Sequence, residues 1–558
     1  MQWKQDFTPI ADQLWLSAIV ALIPILYFFW ALAVKRMKGH VAGLTTLLLA
    51  LVLAVIAYRM PAGKAVMSVT QGAVYGLLPI GWIIITSVFL YKLTVKTGHF
   101  DIIRNSVVSL TEDRRLQALL IAFSFGAFLE GAAGFGAPVA ISAALLAGLG
   151  FNPLYAAGIC LIANTAPVAF GAVGIPIISM EGPTGVPAME ISKMVGRQLP
   201  FLSVFIPFYL VLIMAGWKKT VEVLPAIIVS GVSFALTQYL TSNFLGPELP
   251  DILSSIVSIV VLAVFLKYWK PKSTFRFASE PEVAAAGQAA RAAHRGGEVF
   301  RAWSPFLVLT ALISLWGIPQ VKAALTGHYE GTNGLLKLVN AIGAHLTFMP
   351  PVPGLNNQIL NPSGQPIAAV YKLELLGAAG TAILVAAVVT KFIIGISWKD
   401  WARTFVETLN ELKFPIITIA SVVGFAYIAN SSGMSTTLGM VLAKTGSFFP
   451  FFSPILGWLG VFITGSDTSS NLLFGNLQKV TATSIGMDPV LALAANSSGG
   501  VVGKMISPQS IAVACAAVGL TGKESDLFRF TVKHSIFLII LVGILVYLQS
   551  TVLSWMIP

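Results

Sequence analysis

Glu130-Gly-Ala-Ala-Gly-Phe-Gly-Ala-Pro138 stands inside a long apolar run, Leu116 to Leu149. A charged carboxylate at mid-membrane costs about 2.5–3.5 kcal/mol on insertion scales. Gly131, Gly134, Gly136 and Pro138 follow it within eight residues. Glycine weakens a helix, and proline removes a backbone donor and clashes with the preceding turn. The stretch therefore places an ionisable group and a helix break at one depth. In lipid, broken backbone is tolerated only where protein buries it or where it lines a wet cavity. An acid beside a broken helix is how a membrane protein builds a site for a small polar solute.

The rest of the chain has the matching character. Of its 558 residues 56% are hydrophobic and only 10% charged, with a mean hydropathy of +0.83. Soluble domains carry about 25% charged residues. The fold class is an all-α polytopic membrane protein, since a β-barrel would show short alternating segments. Apolar runs at 14–34, 41–58, 66–92, 198–216, 219–240, 251–269, 303–320, 373–396, 413–430 and 529–556 read as spans. With the interrupted regions 116–176 and 450–520 they give about 12–14 membrane segments. Trp398 to Lys413 has apolar residues at helical spacing with charges between, and reads as an interfacial helix.

The net charge of +12 lies in short loops between spans. That is the cytoplasmic-loop pattern of membrane proteins rather than a nucleic-acid surface. Lys35, Arg36 and Lys38, then Lys92 to Arg115, Lys218 and Lys219, the 267–301 stretch, Lys399 to Lys413 and Lys523 to Lys533 all fall inside on one consistent count. Both termini then fall outside. A polar linker, 270–301, divides a first membrane half, 1–269, from a second, 302–558. Cys160 and Cys515 sit in apolar stretches and read as buried thiols. The six histidines map to loops or span ends without metal-ligand spacing. No metal, cofactor or catalytic residue is expected. Neither a Walker A loop nor a Gly-x-Ser-x-Gly elbow occurs, which argues against an ATP-driven pump and that class of hydrolase.

The second interrupted region repeats the first. Phe128-Leu-Glu-Gly131 aligns with Phe462-Ile-Thr-Gly465, and Asn164 to Gly171 aligns with Asn496 to Gly503. From that Asn to a following proline, Pro176 or Pro508, is twelve residues in both. The loop charges make the first copy run outward and the second inward. Two inverted-topology repeats with broken or re-entrant helices are a recurring architecture of secondary transporters, whose sites lie at the repeat interface.

The second break, Gly465-Ser-Asp-Thr-Ser-Ser-Asn471, is dense in hydroxyls and amides. Half-helix N-termini, each equivalent to about +0.5 charge, make an anion site without arginine. Gly131, Gly134, Gly136, Asn164, Thr165, Ser469, Ser470, Asn471, Asn496, Ser497 and Ser498 are the candidate substrate-binding residues. Glu130 and Asp467 are the candidate proton-coupling acids: a carboxyl that loads a proton on one face and releases it on the other couples solute to the proton gradient. The bland alternative for each is an acid neutralised by a lysine or capping a helix. Lys504 could neutralise an anion, but its place near the expected cytoplasmic end also suits snorkelling.

With these residues in hand the chain resembles the bacterial L-lactate permease family. Phe125-Gly-Ala-Phe-Leu-Glu-Gly-Ala-Ala-Gly-Phe-Gly-Ala-Pro138 carries the resemblance most specifically, and Gly465 to Asn471 adds to it. The resemblance implies a multi-pass symporter of the bacterial inner membrane that takes up L-lactate, and also D-lactate and glycolate, with protons. The paired breaks are also similar to the wider ion-transporter superfamily, which implies an elevator-like motion by analogy of fold. The implied partners are the hydroxy acid, protons and the bilayer, and a homo-oligomer is compatible with this reading. Sodium coupling is the nearest alternative, because backbone carbonyls at broken helices coordinate that ion. A channel would not accumulate solute, and a membrane-embedded enzyme would need a nucleophile–base pair or a metal cluster that the sequence does not offer.

Overall fold

The computed structural model describes residues 2–134, 137–277 and 294–558. Among these, 12 helices are long and apolar enough to cross a bilayer, or up to 13 with one bent pair taken as a span. Three segments differ from the sequence expectation for identifiable reasons. The span expected at 66–92 runs over Ala62–Lys96 and kinks at Leu78, whose extended backbone (φ −135°, ψ 116°) precedes Pro79. Proline pushes the residue before it out of the helical region. The interfacial helix expected from Trp398 to Lys413 is not separate. Trp398–Ser432 is one helix of 35 residues, opened by the Ser397 hydroxyl accepting from the Asp400 N–H. The apolar run 373–396 begins as strand, Leu373–Glu374 pairing antiparallel with Thr347–Phe348, so its helix is only Ala379–Ile394.

The two sequence halves are not spatially separate. Trp398–Ser432 packs along both Gly39–Ile56 and Ala62–Tyr75 from the first half. The approach is close. A Cβ on Gly72 would lie 2.7 Å from the Val423 carbonyl oxygen, and one on Gly76 would lie 2.8 Å from the Ala420 Cα. Small residues let membrane helices approach to backbone contact. At the other end of the chain order, Trp3–Lys4 pairs in parallel with Ile359–Leu360. Of the linker 270–301, residues 278–293 lie outside the described residues.

Both interrupted regions have the expected helix–break–helix form. The first comprises Arg114–Ala132, a helix ending at Gly148, Pro153–Ala163, and a continuation to Thr184 bent by 65°. The second comprises Phe449–Thr464, Asp467–Ser484, Pro489–Lys504 and Pro508–Ala517. The repeat is visible in the caps. Asn152 and Asp488 each accept backbone N–H groups at the start of the third helix, and each is followed by proline in the first turn. Pro176 resumes helix after three left-handed residues, Ala172, Val173 and Gly174, and Pro508 opens its helix after the 505–507 break. Gly465 (φ 71°) ends one helix, and the Ser466 hydroxyl caps the next by accepting from the Ser469 N–H.

One expectation within the repeat is corrected. Asn164 ends its helix, but Asn496, Ser497 and Ser498 lie inside the unbroken helix Pro489–Lys504. Pro167 follows Asn164 by three residues and prevents continuation. The second copy has Gly499, Gly500 and Gly503 instead, and these are held by packing. A Cβ on Gly499 would meet the Pro454 carbonyl oxygen at 1.9 Å, one on Gly503 the Trp458 carbonyl oxygen at 2.3 Å, and one on Gly457 the Asn496 carbonyl oxygen at 1.8 Å. Phe449–Thr464 and Pro489–Lys504 therefore touch backbone to backbone.

Candidate functional site

The two repeats meet at an ion pair. The Lys504 Nζ, at the end of Pro489–Lys504, donates to Glu130 Oε1 in Gly126–Ala132 at 2.7 Å. Lys504 is 8% exposed and Glu130 3%. The lysine is thus turned into the protein, which corrects the snorkelling alternative. Glu130 also lies against the break in its own repeat, since a Cβ on Gly171 would be 2.8 Å from Glu130 Oε1. Glycine is required there by the acid.

Asp467 opens Asp467–Ser484 and is 3% exposed. Its Oδ2 accepts from the Ser497 hydroxyl at 2.7 Å and from the Asn471 amide at 3.2 Å. Asn471 also donates to the Pro176 carbonyl at 3.0 Å, which links the second repeat to the resumed helix of the first. Beyond it runs a chain of amides. Asn496 donates to Asn471 Oδ1 at 2.8 Å, and Gln478 donates to Asn496 Oδ1 at 3.1 Å and to the Ser453 carbonyl at 2.7 Å. Most of these bonds use both partners, so the network fixes the hairpin and supports the acid. The helix N-terminus expected to receive an anion already holds a carboxyl in its first turn, that of Asp467 itself.

The remaining candidates divide. Ser470 donates to the Gly457 carbonyl, and Ser498 donates to Gln198 Oε1 at 2.7 Å, on the side of its helix facing Gln549. Both are helix-packing contacts here. The Ser469 backbone N–H is taken by Ser466, and its side chain is buried. Gly131 lies in the last turn of Gly126–Ala132, and Gly134, with φ 58°, stands in the first break after it. Gly136 lies outside the described residues. Asn164 and Thr165 stand in the other break of the first repeat, which packs on Pro489–Lys504 and Gly126–Ala132 through Val168–Phe170.

Several polar atoms in this region are buried without a hydrogen-bond partner among the described residues: Glu130 Oε2, Asn164 Nδ2, Thr165 Oγ1, Asp467 Oδ1 and both oxygens of Asp251. Buried polar groups are normally paired. Among them the Asn164 amide and the Thr165 hydroxyl are donors with bonding capacity to spare, which suits a small hydroxylated anion. Asp251 was not among the sequence candidates. It is 1% exposed and packed on the helix turn that carries Glu130: a Cβ on Gly131 would lie 2.7 Å from the Asp251 Cβ. Its signal in the sequence was an acid opening an apolar run, which reads as ordinary compensation of a helix dipole.

One consequence is directly testable. A Cβ on Gly500 would lie 2.0 Å from Asp467 Oδ1. Gly500→Ala is expected to displace Asp467 from Ser497 and cost about 1–3 kcal/mol of stability. Transport activity should fall about tenfold or more, while Gly63→Ala, where a Cβ has open space, stays near wild type in both. Thermal unfolding in detergent and proteoliposome uptake measure the two effects.

The family model described as L-lactate permease matches residues 17–553. The L-lactate permease of Bacillus subtilis (strain 168) is 75% identical, covering 100% of both chains. The glycolate permease GlcA of Escherichia coli (strain K12) is 54% identical over 99% of both, and the L-lactate permease of that strain is 53% identical over 100% of both. Among solved structures, the YdaH transporter of Alcanivorax borkumensis aligns over 88% of each chain with a TM-score of 0.45 and 11% identity.

Proposed function

The chain belongs to the L-lactate permease family, and on that premise we propose that this permease imports L-lactate, with D-lactate and glycolate as further substrates, together with protons across the bacterial inner membrane. The observation that carries the reading is the buried ammonium of Lys504, set between the repeats beside acids with unpartnered oxygens. One cation suits one carboxylate. A dicarboxylate would bring a second charge to a site with no second cation nearby among the described residues. Arriving substrate competes with Glu130 for Lys504. Asn164 and Thr165 have the donors and acceptors to meet a 2-hydroxyl group, and Ser469, Asn471 and Ser497 supply more around Asp467.

Proton coupling follows from charge. A lone anion added to a buried site raises the cost of crossing the low-dielectric barrier. A proton taken up with it leaves the net charge of the site as it was. The buried acids Glu130 and Asp467 are the proposed coupling groups on the sequence reading, with Glu130 acting through its lysine.

The test is labelled L-lactate uptake into proteoliposomes in sodium-free buffer. An inward proton gradient is expected to drive accumulation, which unlabelled D-lactate and glycolate inhibit and succinate does not. Accumulation that required sodium, or that ignored the proton gradient, would reject the coupling.

A further inference from the structure

Three carboxyl groups, Glu130, Asp467 and Asp251, share this buried region with one lysine, and their partners differ. Glu130 accepts from Lys504, and Asp467 accepts from Ser497 and Asn471. Among the described residues nothing donates to either oxygen of Asp251, although it is almost fully enclosed. A buried ionised carboxylate without donors is the costliest of the three states, and a neutral carboxylic acid is the form such surroundings accept.

The surroundings can be enumerated. Pro250–Tyr268 packs against Leu224–Phe244, Ala118–Phe125, Gly126–Ala132, Gly171–Thr184 and Gly296–Gly317. The first two carry no charged residue. Gly126–Ala132 carries Glu130 and Gly171–Thr184 carries Glu181. Gly296–Gly317 carries Glu298 and Arg301. Glu181 accepts from the Ala188 N–H, Glu298 from the Arg295 N–H, and Arg301 donates to the Ile393 carbonyl. Glu130 is held by Lys504. Asp251 rests on Gly131, next in sequence to Glu130 in the last turn before the break.

We propose that Asp251 is the group that carries the transported proton, and that Glu130 serves to hold Lys504 until the substrate carboxylate takes its place. Asp251 takes a proton from water on one face and returns it to water on the other. The empty carrier with Asp251 ionised, and the carrier holding one monocarboxylate with Asp251 protonated, then have the same net charge. This rests on the proton-symport reading above and replaces its two candidate carriers with a third.

The experiment separates coupling from translocation. Wild type, Asp251→Asn and Asp251→Glu are reconstituted, and two activities are measured: accumulation under an inward proton gradient, and counterflow of labelled against unlabelled L-lactate with no gradient. Asp251→Asn is expected to lose accumulation by about tenfold or more while counterflow stays within about threefold. Asp251→Glu should restore part of the accumulation with a displaced pH midpoint. Asp251→Asn that accumulates within about twofold of wild type overturns the proposal. So does a monodisperse, normally melting Asp251→Asn that loses counterflow equally, because Asp251 would then serve binding or architecture. If Asp251→Asn does not fold, Asp251→Glu decides, and an undisplaced pH profile overturns the proposal. Wild type that fails to respond to the proton gradient would instead reject the symport reading itself.

Discussion

Lys504→Met should reduce proton-driven lactate accumulation about a hundredfold or more, because it removes the one buried cation available to the substrate carboxylate. It should also lower stability by about 3–5 kcal/mol, the cost of leaving Glu130 buried without its counter-ion. The two losses have different origins and can be parted. In Glu130→Gln/Lys504→Met no buried charge is stranded at this pair, so the thermal midpoint should return most of the way toward wild type. Uptake should not return. Thermal unfolding of the purified variants, set beside proteoliposome uptake, makes the comparison. A double variant that transported lactate at the wild-type rate would show that Lys504 is an architectural counter-ion only.

Arg115→Met should be the most damaging single change away from the site. Arg115 is fully enclosed. Its guanidinium donates to Asp113 Oδ2 at 2.6 Å, to Glu222 at 2.9 Å, and to the carbonyls of Lys219 and Ser273, both at 2.9 Å. Its ring-facing side lies over Phe275, 5.4 Å from the centroid. One side chain therefore ties the base of the first repeat to Leu199–Glu222 and to the start of the central linker. Removing it leaves Asp113 enclosed with only backbone donors, at a cost of about 3–5 kcal/mol. Asp113 keeps its bonds to the Arg115 and Phe275 N–H groups, so the helix cap itself survives. The expected readouts are a lower unfolding midpoint and faster tryptic cleavage at Lys272. Lys219→Met, whose ammonium meets only the half-exposed Glu222, should change neither by much.

The membrane class, the number of spans and the paired breaks were legible because each is written in local sequence. Long apolar runs have few readings, and glycine with proline around Glu130 has fewer. The caps at Asn152 and Asp488 and the prolines at 176 and 508 mark the repeat in the same way. What was not legible depends on packing between distant segments. Lys504 looked like a lysine near a membrane surface, and only the arrival of Glu130 from the other repeat turns it inward. Asp251 looked like a helix-start acid, and only its enclosure against Gly131 makes it unusual. Asn496 to Ser498 align with Asn164 to Ala166, yet only Asn164 ends a helix. The glycines beside them serve contact with Phe449–Thr464 instead. The same residue type has opposite structural meaning in the two copies, and Pro167 against Gly499 is the local difference between them.

That last contact has a mechanical consequence. Where Gly457, Gly499 and Gly503 meet facing carbonyls there is no clearance for one rod to slide or roll over the other. The second hairpin and its neighbouring interrupted helix form a single slab, and any stroke of the carrier has to shift that slab whole. Slip is then confined to other seams, and Lys504, fixed at the slab's edge, travels with it as a charged tooth that engages or clears the opposing repeat.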